Sequence, residues 1–149
     1  MKMLNKKARF NYELLERFEA GIALLGGEVK SIRKGSVNLT NSYARILENE
    51  VYLVNASIPI DGKKDYNDTR IRKLLLNRTE IVSIKTKIKA KRLTLVPTKI
   101  YTKRHLVKVE IALAKSKKSH QKKNLIKEAD VKRDMERELR GTKGNDDRL

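Results

Sequence analysis

The residues that could do catalytic or metal-binding chemistry are few and widely spaced. The two histidines, His105 and His120, lie fifteen residues apart, and neither has a carboxylate or a cysteine at the spacing of metal ligands. The chain contains no cysteine, which excludes disulfides, thiolate nucleophiles and cysteine-based zinc sites. The sequence therefore predicts no metal site.

The glycines and acidic residues offer no better candidate for an active site. Gly26-Gly27 is not followed by the Lys-Ser/Thr of a phosphate-binding loop, and no Gly-x-Gly-x-x-Gly occurs. Four acids could in principle form a nuclease metal site, but in so basic a chain we interpret them as caps, turn residues or ion-pair partners: Glu19, Glu28, Glu48 and Glu50. We predict that the protein is not an enzyme and uses no cofactor.

The charge balance points instead to a polyanionic partner. The chain carries 36 Lys and Arg against 18 Asp and Glu, a formal net charge of +18 over 149 residues. These charges repel one another in the compact state, and binding a polyanion relieves that repulsion and releases counterions. We therefore predict nucleic-acid binding. The alternatives are a membrane surface and a protein whose cationic faces are simply solvated.

The N-terminal stretch MKMLNKKARF is basic but is not followed by the apolar segment of a signal peptide. No run approaches the length of about 18 apolar residues that a membrane-spanning helix needs. These features predict a cytoplasmic protein with no membrane partner.

The first half of the chain contains the elements that must position any binding residues. Residues 8–25 read as two strands, or as one strand strongly bent at Ala20-Gly21. Gly26-Gly27 breaks this run, and residues 28–35 fit a short helix that ends at Gly35, with Glu28 at its N-terminal end, where the helix dipole favours an acid. A hairpin is predicted over 43–54, turning at 48–50.

In the second half of the chain, the spacing of apolar residues changes from that of strands to that of a helix and then back. From Thr69 to Lys89 the apolar residues follow a helical stripe, which predicts one long helix or two short ones. Residues 93–102 and 106–114 return to strand character, and alternation in the second indicates a half-buried antiparallel strand. Pro97 lacks an amide hydrogen and therefore indicates an edge position or a β-bulge.

Together these elements predict a mainly β fold: a small antiparallel barrel of about six strands, like an OB-fold, with two or three short helices. The predicted body spans 1–114. Residues 115–149 form a tail with twelve Lys or Arg and seven Asp or Glu, and only Val131, Met135 and Leu139 recur at helical spacing. This thin apolar stripe predicts a tail that is disordered when free and becomes helical on a partner.

Binding signals concentrate in RIRKLLLNR, residues 70–78, where four cations surround three leucines. Leu74 and Leu75 are adjacent and cannot point in the same direction, so at least one of the leucines should be marginal to the core. The residue pattern by itself favours an amphipathic helix with a solvated basic edge. The alternative is an exposed leucine beside cations that packs on a nucleobase or sugar. Lys108, on the polar face of the last strand, could meet phosphate or only solvent.

Several stretches closely resemble the small protein B family, the SsrA-binding proteins of bacterial trans-translation. They are NKKARFNYELLERFEAGIALLGGEVKSIRKGSVNL (5–39), DTRIRKLLLNRTEI (68–81), VKVEIALAKSKKSHQKK (107–123) and the charged tail. The resemblance implies an OB-fold-like protein that binds the tRNA-like domain of transfer-messenger RNA. It also implies delivery of that RNA, with elongation factor Tu and GTP, to stalled ribosomes.

Matched motif by motif, the resemblance implies that the residues contacting transfer-messenger RNA are Asn5, Glu19, Leu75, Asn77 and Lys108. Lys108 would supply charge to the RNA backbone, and the two asparagines would supply both donors and acceptors. Glu19 would accept hydrogen bonds from base or 2′-hydroxyl groups. A carboxylate on such a surface costs affinity through repulsion, so its presence favours specific recognition.

The tail residues implied to contact the decoding centre of the small ribosomal subunit are Lys117, Lys118, His120, Lys122 and Lys123. The family pattern around His120 has a glycine, an acid and an arginine where this chain has Ser116, Gln121 and Lys123. Lysine replaces a bidentate fork with a point charge, and Gln121 removes the acid, so this chain lacks the acid–arginine pair of the family pattern.

Two functions are therefore compared. In the leading one, the body binds transfer-messenger RNA and the tail engages small-subunit ribosomal RNA and the empty messenger channel of the ribosome, with the protein acting as a monomer. In the alternative, the chain is a structural ribosomal protein, a small basic barrel whose tail threads through ribosomal RNA. Charge and tail predict both equally.

Overall fold

The computed structural model describes residues 2–117 and 132–139. The chain divides into two compact units, Met1–Lys117 and Lys118–Leu149. The first unit extends three residues beyond the predicted end of the body at Ala114, because its last strand continues to Ser116 and the amide of Lys117 donates to the carbonyl of Asn11 at 3.1 Å.

The first unit contains seven strands and three helices. In chain order they are β1 (Lys2–Leu4), α1 (Lys6–Asn11), β2 (Tyr12–Ile22), α2 (Gly26–Arg33), β3 (Tyr43–Leu47), β4 (Glu50–Val54), β5 (Arg72–Leu75), α3 (Arg78–Lys91), β6 (Thr94–Lys103) and β7 (Leu106–Ser116). The prediction of a mainly β, antiparallel fold with a few short helices is confirmed.

The strands close into a barrel. The sheet order is β1-β6-β3-β4-β5-β2-β7, and β6 also pairs with β7. This last pairing joins the two ends of the run from β6 to β7, so six strands form a closed ring and β1 adds to β6 outside it. Among these seven strands, closure leaves no long unpaired edge that could pair with another chain.

Alternation along the strands decides which side chains enter the barrel. In β7, Val109, Ile111 and Leu113 are fully or almost fully buried, as the period-two pattern predicts. They meet aliphatic side chains from the other strands and from the helices α2 and α3. Core members include Ala20, Ile32, Val51, Leu53, Leu74, Ile84, Leu95 and Ile100. The core is aliphatic, in keeping with an aromatic content of 5%.

Several local predictions are confirmed. Helix α2 ends at Arg33, and Gly35 follows with a φ of +81°, a conformation that favours glycine. The hairpin of β3 and β4 turns at Glu48 and Asn49. Pro97 lies in β6 at a register shift in the pairing with β7, so the missing amide hydrogen falls at a bulge.

The helix predicted from Thr69 is wrong at its start. Residues Arg72–Leu75 form strand β5, which pairs with β4 and β2, and the helix begins only at Arg78. The pattern in β5 has period two, because Arg72 and Leu74 are buried while Lys73 and Leu75 are exposed. Sequence reasoning assigned the inward position of Arg72 to solvent and so missed the alternation.

The strand predicted to begin near Ala8 is also wrong over its first residues, which form helix α1. Asn5 initiates this helix, since its side-chain oxygen accepts a hydrogen bond from the amide of Ala8 at 3.2 Å. Only Ala8 is buried in the helix, and Phe10 is 79% exposed. From Tyr12 the chain is a single strand that continues through Ala20-Gly21.

In the second unit the structure places a helix at 132–139, with Asp134 and Arg137 one turn apart and 3.9 Å between their charged atoms. The helical spacing of Met135 and Leu139 agrees with this assignment. Disorder of the free tail and helix formation on the ribosome remain predictions. In the described part of the chain, no helix is long and apolar enough to cross a membrane.

Candidate nucleic-acid interface

Three of the predicted RNA-binding residues meet on adjacent strands. Gly21 of β2 is the register partner of Leu75 on β5 and, on its other side, of Lys108 on β7. Residues paired across antiparallel strands point to the same face of the sheet, and Glu19 shares that face because it precedes Gly21 by two positions. Closure of the barrel thus brings three distant segments together on one outer surface.

We call this region the β5–β2–β7 surface and define it by Glu19, Leu75, Tyr101, Lys103 and Lys108. Tyr101 belongs to it because β6 pairs with β7 and Tyr101 is the register partner of Lys108. The surface therefore combines an aliphatic group, an aromatic ring, a carboxylate and two ammonium groups. Such a mixture can contact the bases, sugars and phosphates of folded RNA.

Leu75 is an exposed aliphatic side chain held against the backbone. It is 53% exposed, and a Cβ placed on Gly21 would lie 3.3 Å from the Cβ of Leu75. The side chain thus rests over a position where the neighbouring strand presents no side chain of its own. Its outward direction is fixed by the inward direction of Leu74, which is fully buried.

Glu19 is exposed, and it is tied to the strand beside β7 by hydrogen bonds from side chains. The hydroxyl of Tyr101 donates to its Oε2, and the Nζ of Lys103 lies 3.5 Å from the same oxygen. The hydrogen bond from Tyr101, together with the positive charges of Lys103 and Lys108, lowers the pKa of Glu19. Burial and the nearby carboxylate of Glu19 raise the pKa of Tyr101. Glu19 is therefore an ionised, oriented acceptor at neutral pH.

A second acid, Glu110 of β7, lies on the same face, because it is the register partner of Glu19. The carboxylate of Glu110 is 4.0 Å from Arg17 and 3.9 Å from Lys99, and it accepts a hydrogen bond from Thr98. The ammonium group of Lys99 lies 5.3 Å from the ring centre of Tyr101, within the range of a cation–π contact. These contacts restrict the side chains that flank Glu19.

Asn77 is exposed at the N-terminus of α3, two residues after β5 ends. The backbone amide of Asn77 donates to Oε1 of Glu80 at 3.1 Å, and its backbone carbonyl accepts from the amide of Ile81 at 3.0 Å. The residue thus has a defined backbone while its side chain faces solvent. It extends the run that begins at Leu75, in agreement with a place beside the β5–β2–β7 surface.

Asn5 is placed differently from the other predicted contacts. It is 3% exposed, and its Nδ2 donates to the carbonyls of Leu39 at 3.0 Å and Pro97 at 2.9 Å. With the bond from Ala8, all of its side-chain hydrogen-bonding groups are engaged inside the protein. The predicted direct contact of the Asn5 side chain with RNA is therefore not supported, and the residue instead joins α1 to β6 and the loop at Leu39.

The structure also contains a buried ionic cluster that sequence reasoning missed. Glu28, interpreted as a helix-dipole residue, is fully buried and lies 2.6 Å from the equally buried Arg72 and 2.5 Å from Arg70. Tyr66 donates a further hydrogen bond to it. Burial alone would raise the pKa of Glu28, but the hydrogen bonds from Arg70, from the backbone of Leu25 and from Tyr66 and Arg72 lower it to about 2.

This cluster fixes β5 from inside the barrel. Arg72 also donates to the carbonyls of Ala56 at 2.8 Å and Asp68 at 2.9 Å, so its guanidinium group is surrounded by acceptors. If Arg72 left this position, Glu28 would remain buried without its ion-pair partner, so Arg72 must face inward. Side chains alternate along a strand, and Leu75, three residues later, therefore faces outward. The signal in the sequence was the alternation of residues 72–75, which an inward-facing arginine concealed.

Of the predicted decoding-centre residues, only Lys117 lies in the described part of the chain, where its side chain is exposed. Lys118, His120, Lys122 and Lys123 lie outside the described residues. Within residues 2–117 and 132–139, no group of three or more His, Asp or Glu is arranged to hold a metal ion.

Comparison with known proteins gives consistent results. The family model described as SmpB protein matches residues 2–141. The SsrA-binding protein of Persephonella marina is 46% identical over 140 residues, covering 92% of this chain and 92% of that protein. The SsrA-binding protein of Nostoc sp. is 49% identical over 140 residues, covering 91% and 90%.

A solved structure described as "tmRNA-SmpB: a journey to the center of the bacterial ribosome" is also similar. It is 46% identical, has a TM-score of 0.67, and its alignment covers 81% of this chain and 87% of that chain. The β5–β2–β7 surface thus occurs on a barrel whose sequence and fold both have close relatives, and the chain belongs to the SmpB protein family.

Proposed function

We propose that this protein binds the tRNA-like domain of transfer-messenger RNA and delivers that RNA to stalled ribosomes in trans-translation. The observation that carries the proposal is the convergence of Glu19, Leu75 and Lys108 on one surface, from three strands separated in sequence. Relatives covering nine-tenths of the chain are SsrA-binding proteins, which supports the same function.

Each group on this surface has a physical role to play against folded RNA. Leu75 offers an apolar side chain of low conformational freedom on which a base or sugar can pack. Lys108 neutralises a backbone phosphate. Glu19 accepts from exocyclic amines or 2′-hydroxyls, and it repels RNA that places phosphates there. The carboxylate therefore selects the shape of one RNA over RNA in general.

Asn77 extends the interface from the start of α3, where its exposed side chain can donate and accept. Asn5 acts indirectly, by holding α1 against β6. We assign no catalytic step to the protein. Its contribution is to bind and position RNA. Glu28 and Glu110 are engaged in hydrogen bonds within the body, and Glu19 lies on the proposed interface.

The tail completes the proposed function. Lys117, Lys118, His120, Lys122 and Lys123 would contact the decoding centre and the messenger channel, where residues beyond them become helical. The protein would act in the cytoplasm as a monomer, in a complex with transfer-messenger RNA, elongation factor Tu and GTP. A structural ribosomal protein is the less favoured function, because the relatives are named for binding SsrA and not as ribosomal proteins.

Sequencing of the RNA that co-purifies with the protein at moderate salt tests the proposal. We expect strong enrichment of transfer-messenger RNA over ribosomal RNA, and fewer copies of the protein than of ribosomes in purified ribosome fractions. Equal stoichiometry with ribosomes, together with no enrichment of transfer-messenger RNA, would favour the structural ribosomal protein.

A further inference from the structure

Two arginines and a histidine meet where β6 turns into β7, and none of them is among the residues that define the β5–β2–β7 surface, although Lys103 of that surface directly precedes Arg104. An open cavity of about 260 Å³ is lined by Arg33, Thr102, Arg104 and His105. Arg33 is the last residue of α2, and the other three belong to β6 and the turn that follows it. None of these residues has a role in the function proposed above.

A hydrogen bond joins two of the residues that line the cavity. One guanidinium nitrogen of Arg33 donates to the carbonyl of His105 at 3.4 Å, which links the end of α2 to the hairpin turn. The remaining guanidinium donors of Arg33 can point to a ligand. In the described part of the chain, neither Arg33 nor Arg104 forms an ion pair with a carboxylate, so their charges are not neutralised locally.

The backbone of the turn is a second, independent observation. Arg104 and His105 have φ values of 51° and 68°, in the left-handed region that two-residue hairpin turns require. Such turns favour Asn-Gly or Gly-Gly, and an arginine there is conformationally costly. The backbone conformation of this turn does not favour arginine or histidine, yet Arg104 and His105 occupy it, and both side chains line the same cavity.

The balance of charge favours an anion in this cavity. The C-terminus of α2 contributes about half a negative charge, which opposes an anion near Arg33. Two guanidinium groups outweigh this, and their planar forks match the geometry of phosphate oxygens. We propose that Arg33, Arg104 and His105 form a phosphate-binding site that takes a backbone phosphate of RNA, outside the β5–β2–β7 surface.

This site extends the proposed function and rests on it for the source of the phosphate, since RNA is the polyanion that the body is proposed to bind. Its effect is to anchor the RNA backbone at a second point of the barrel. Two anchors fix the orientation of a bound RNA, whereas one surface alone permits rotation about it.

The first test is independent of any RNA. Inorganic phosphate is titrated into the full-length protein at constant ionic strength, and NMR signals of the arginine Nε–H groups and of the His105 ring are followed. We expect saturable shifts that are largest at Arg33, Arg104 and His105. Shifts of equal size across the lysine-rich surface would overturn the site, whatever the protein does with RNA.

The second test compares Arg104 with an arginine of similar backbone conformation elsewhere on the barrel, Arg92 at the C-terminus of α3. Arg92 and Arg104 are both exposed and both have a φ of 51°, so Arg104→Gly and Arg92→Gly remove the same charge and relieve the same backbone conformation. Affinity for the tRNA-like domain is measured over a salt series. Arg104→Gly should weaken binding several-fold and reduce the log–log salt slope by about 1. Arg92→Gly should retain wild-type affinity.

Equal effects of the two substitutions would mean that only total charge matters, and the proposed site would be wrong. The double substitution Arg104→Asn with His105→Gly adds a check on folding, because it installs a favoured turn sequence while removing both side chains. It should not lower the melting temperature, yet it should weaken RNA binding at least as much as Arg104→Gly. Wild-type RNA affinity in this variant would also refute the site.

The two proposals fail in distinguishable ways. A wild-type protein that does not bind the tRNA-like domain, but gathers phosphate at the cavity, would refute the proposed function and support the site. A protein that binds the domain tightly, with no phosphate response at Arg33, Arg104 or His105, would support the function and refute the site.

Discussion

The side chain of Leu75 lies over the bare backbone of Gly21, so that a Cβ added to Gly21 would come within 3.3 Å of the Cβ of Leu75. The contact with the added Cβ would be tighter than ordinary van der Waals packing, and Leu75 would have to shift by a few tenths of an ångström to accommodate it. The absence of a side chain at Gly21 thus allows the Leu75 side chain to lie close to β2 on the surface proposed to bind RNA.

Gly21→Ala should therefore separate RNA binding from stability. Alanine gains in strand conformation what it loses in crowding, so we expect the free energy of unfolding to change by less than about 1 kcal/mol. Affinity for the tRNA-like domain should fall because Leu75 is displaced. Urea unfolding and RNA titration measure the two effects, and unchanged affinity would show that the position of Leu75 is not critical.

Leu75→Ala tests the leucine directly, with Val82→Ala as its control. Leu75 is 53% exposed and Val82, on α3, is 56% exposed, so neither truncation opens a large core cavity. We expect Leu75→Ala to cost about 1–2 kcal/mol of binding free energy, roughly five- to thirtyfold in affinity. Val82→Ala should bind RNA like the wild type. Equal affinity in both variants would remove Leu75 from the interface.

Glu19→Gln should weaken RNA binding even though it removes a negative charge. Glutamine retains the shape of the side chain but loses the strength of a charged acceptor, both toward RNA and toward Tyr101. Glu48→Gln, which removes an exposed acid from the β3–β4 turn, should leave affinity unchanged or slightly higher. Tighter binding by Glu19→Gln would show that Glu19 only repels RNA.

The Glu28 cluster should make stability depend on acid pH. The pKa of Glu28 is lowered from 4.5 to about 2 in the folded protein, so its ionised form stabilises the fold fully above pH 4.5. That contribution, about 3 kcal/mol, is lost as the pH falls from 4.5 toward 2. Urea unfolding across this range measures it.

Glu28→Gln identifies the group responsible. The variant should be destabilised at neutral pH by about 3–5 kcal/mol, because Arg72 remains buried without its acid. Its stability should also fall less steeply between pH 4.5 and 2 than that of the wild type. Parallel pH curves for the two proteins would assign the acid sensitivity to other carboxylates.

Truncation after Lys117 tests the division into two functions. Ser116 still pairs with Tyr12, so the shortened chain keeps all of β7, which a cut after Ala114 would not. We expect affinity for the tRNA-like domain to remain within a few-fold of the full chain, while peptide tagging on stalled ribosomes is abolished. A large loss of affinity would mean that the tail takes part in binding that RNA.

The parts of the fold that could be predicted from sequence are those in which local pattern and tertiary environment agree. In β7 the alternation of Val109, Ile111 and Leu113 with polar or small residues matches a barrel strand. The helix ended by Gly35 and the hairpin turning at Glu48 and Asn49 also follow from short-range conformational preferences.

The parts that could not be predicted depend on partners distant in sequence. Arg72 enters the core only because Glu28, 44 residues earlier, meets it there. Likewise, Asn5 is buried because its amide bonds to Pro97, 92 residues away. An arginine or asparagine carries no local sign of such a partner, so both were expected at the surface.

The same limit applies to the candidate site. Glu19, Leu75 and Lys108 follow from motif resemblance, but their common face follows only from the order β5-β2-β7. Tyr101 and Lys103 were not identified at all, since nothing in the sequence of β6 indicates that they meet Glu19. Cross-strand neighbours of this kind are fixed by closure of the barrel.

The pairing of Glu28 with Arg72 has a consequence for how this sequence can change over time. Replacing either residue alone strands a charge in the core, whereas replacing both with apolar residues of similar volume can restore stability. The two positions are therefore coupled, and a lineage must cross a poorly folded intermediate to alter them. Arg72 also orients Leu75. The loss of stability on replacing Glu28 or Arg72 alone therefore also disfavours sequence changes that would reorient Leu75, although neither residue belongs to the β5–β2–β7 surface.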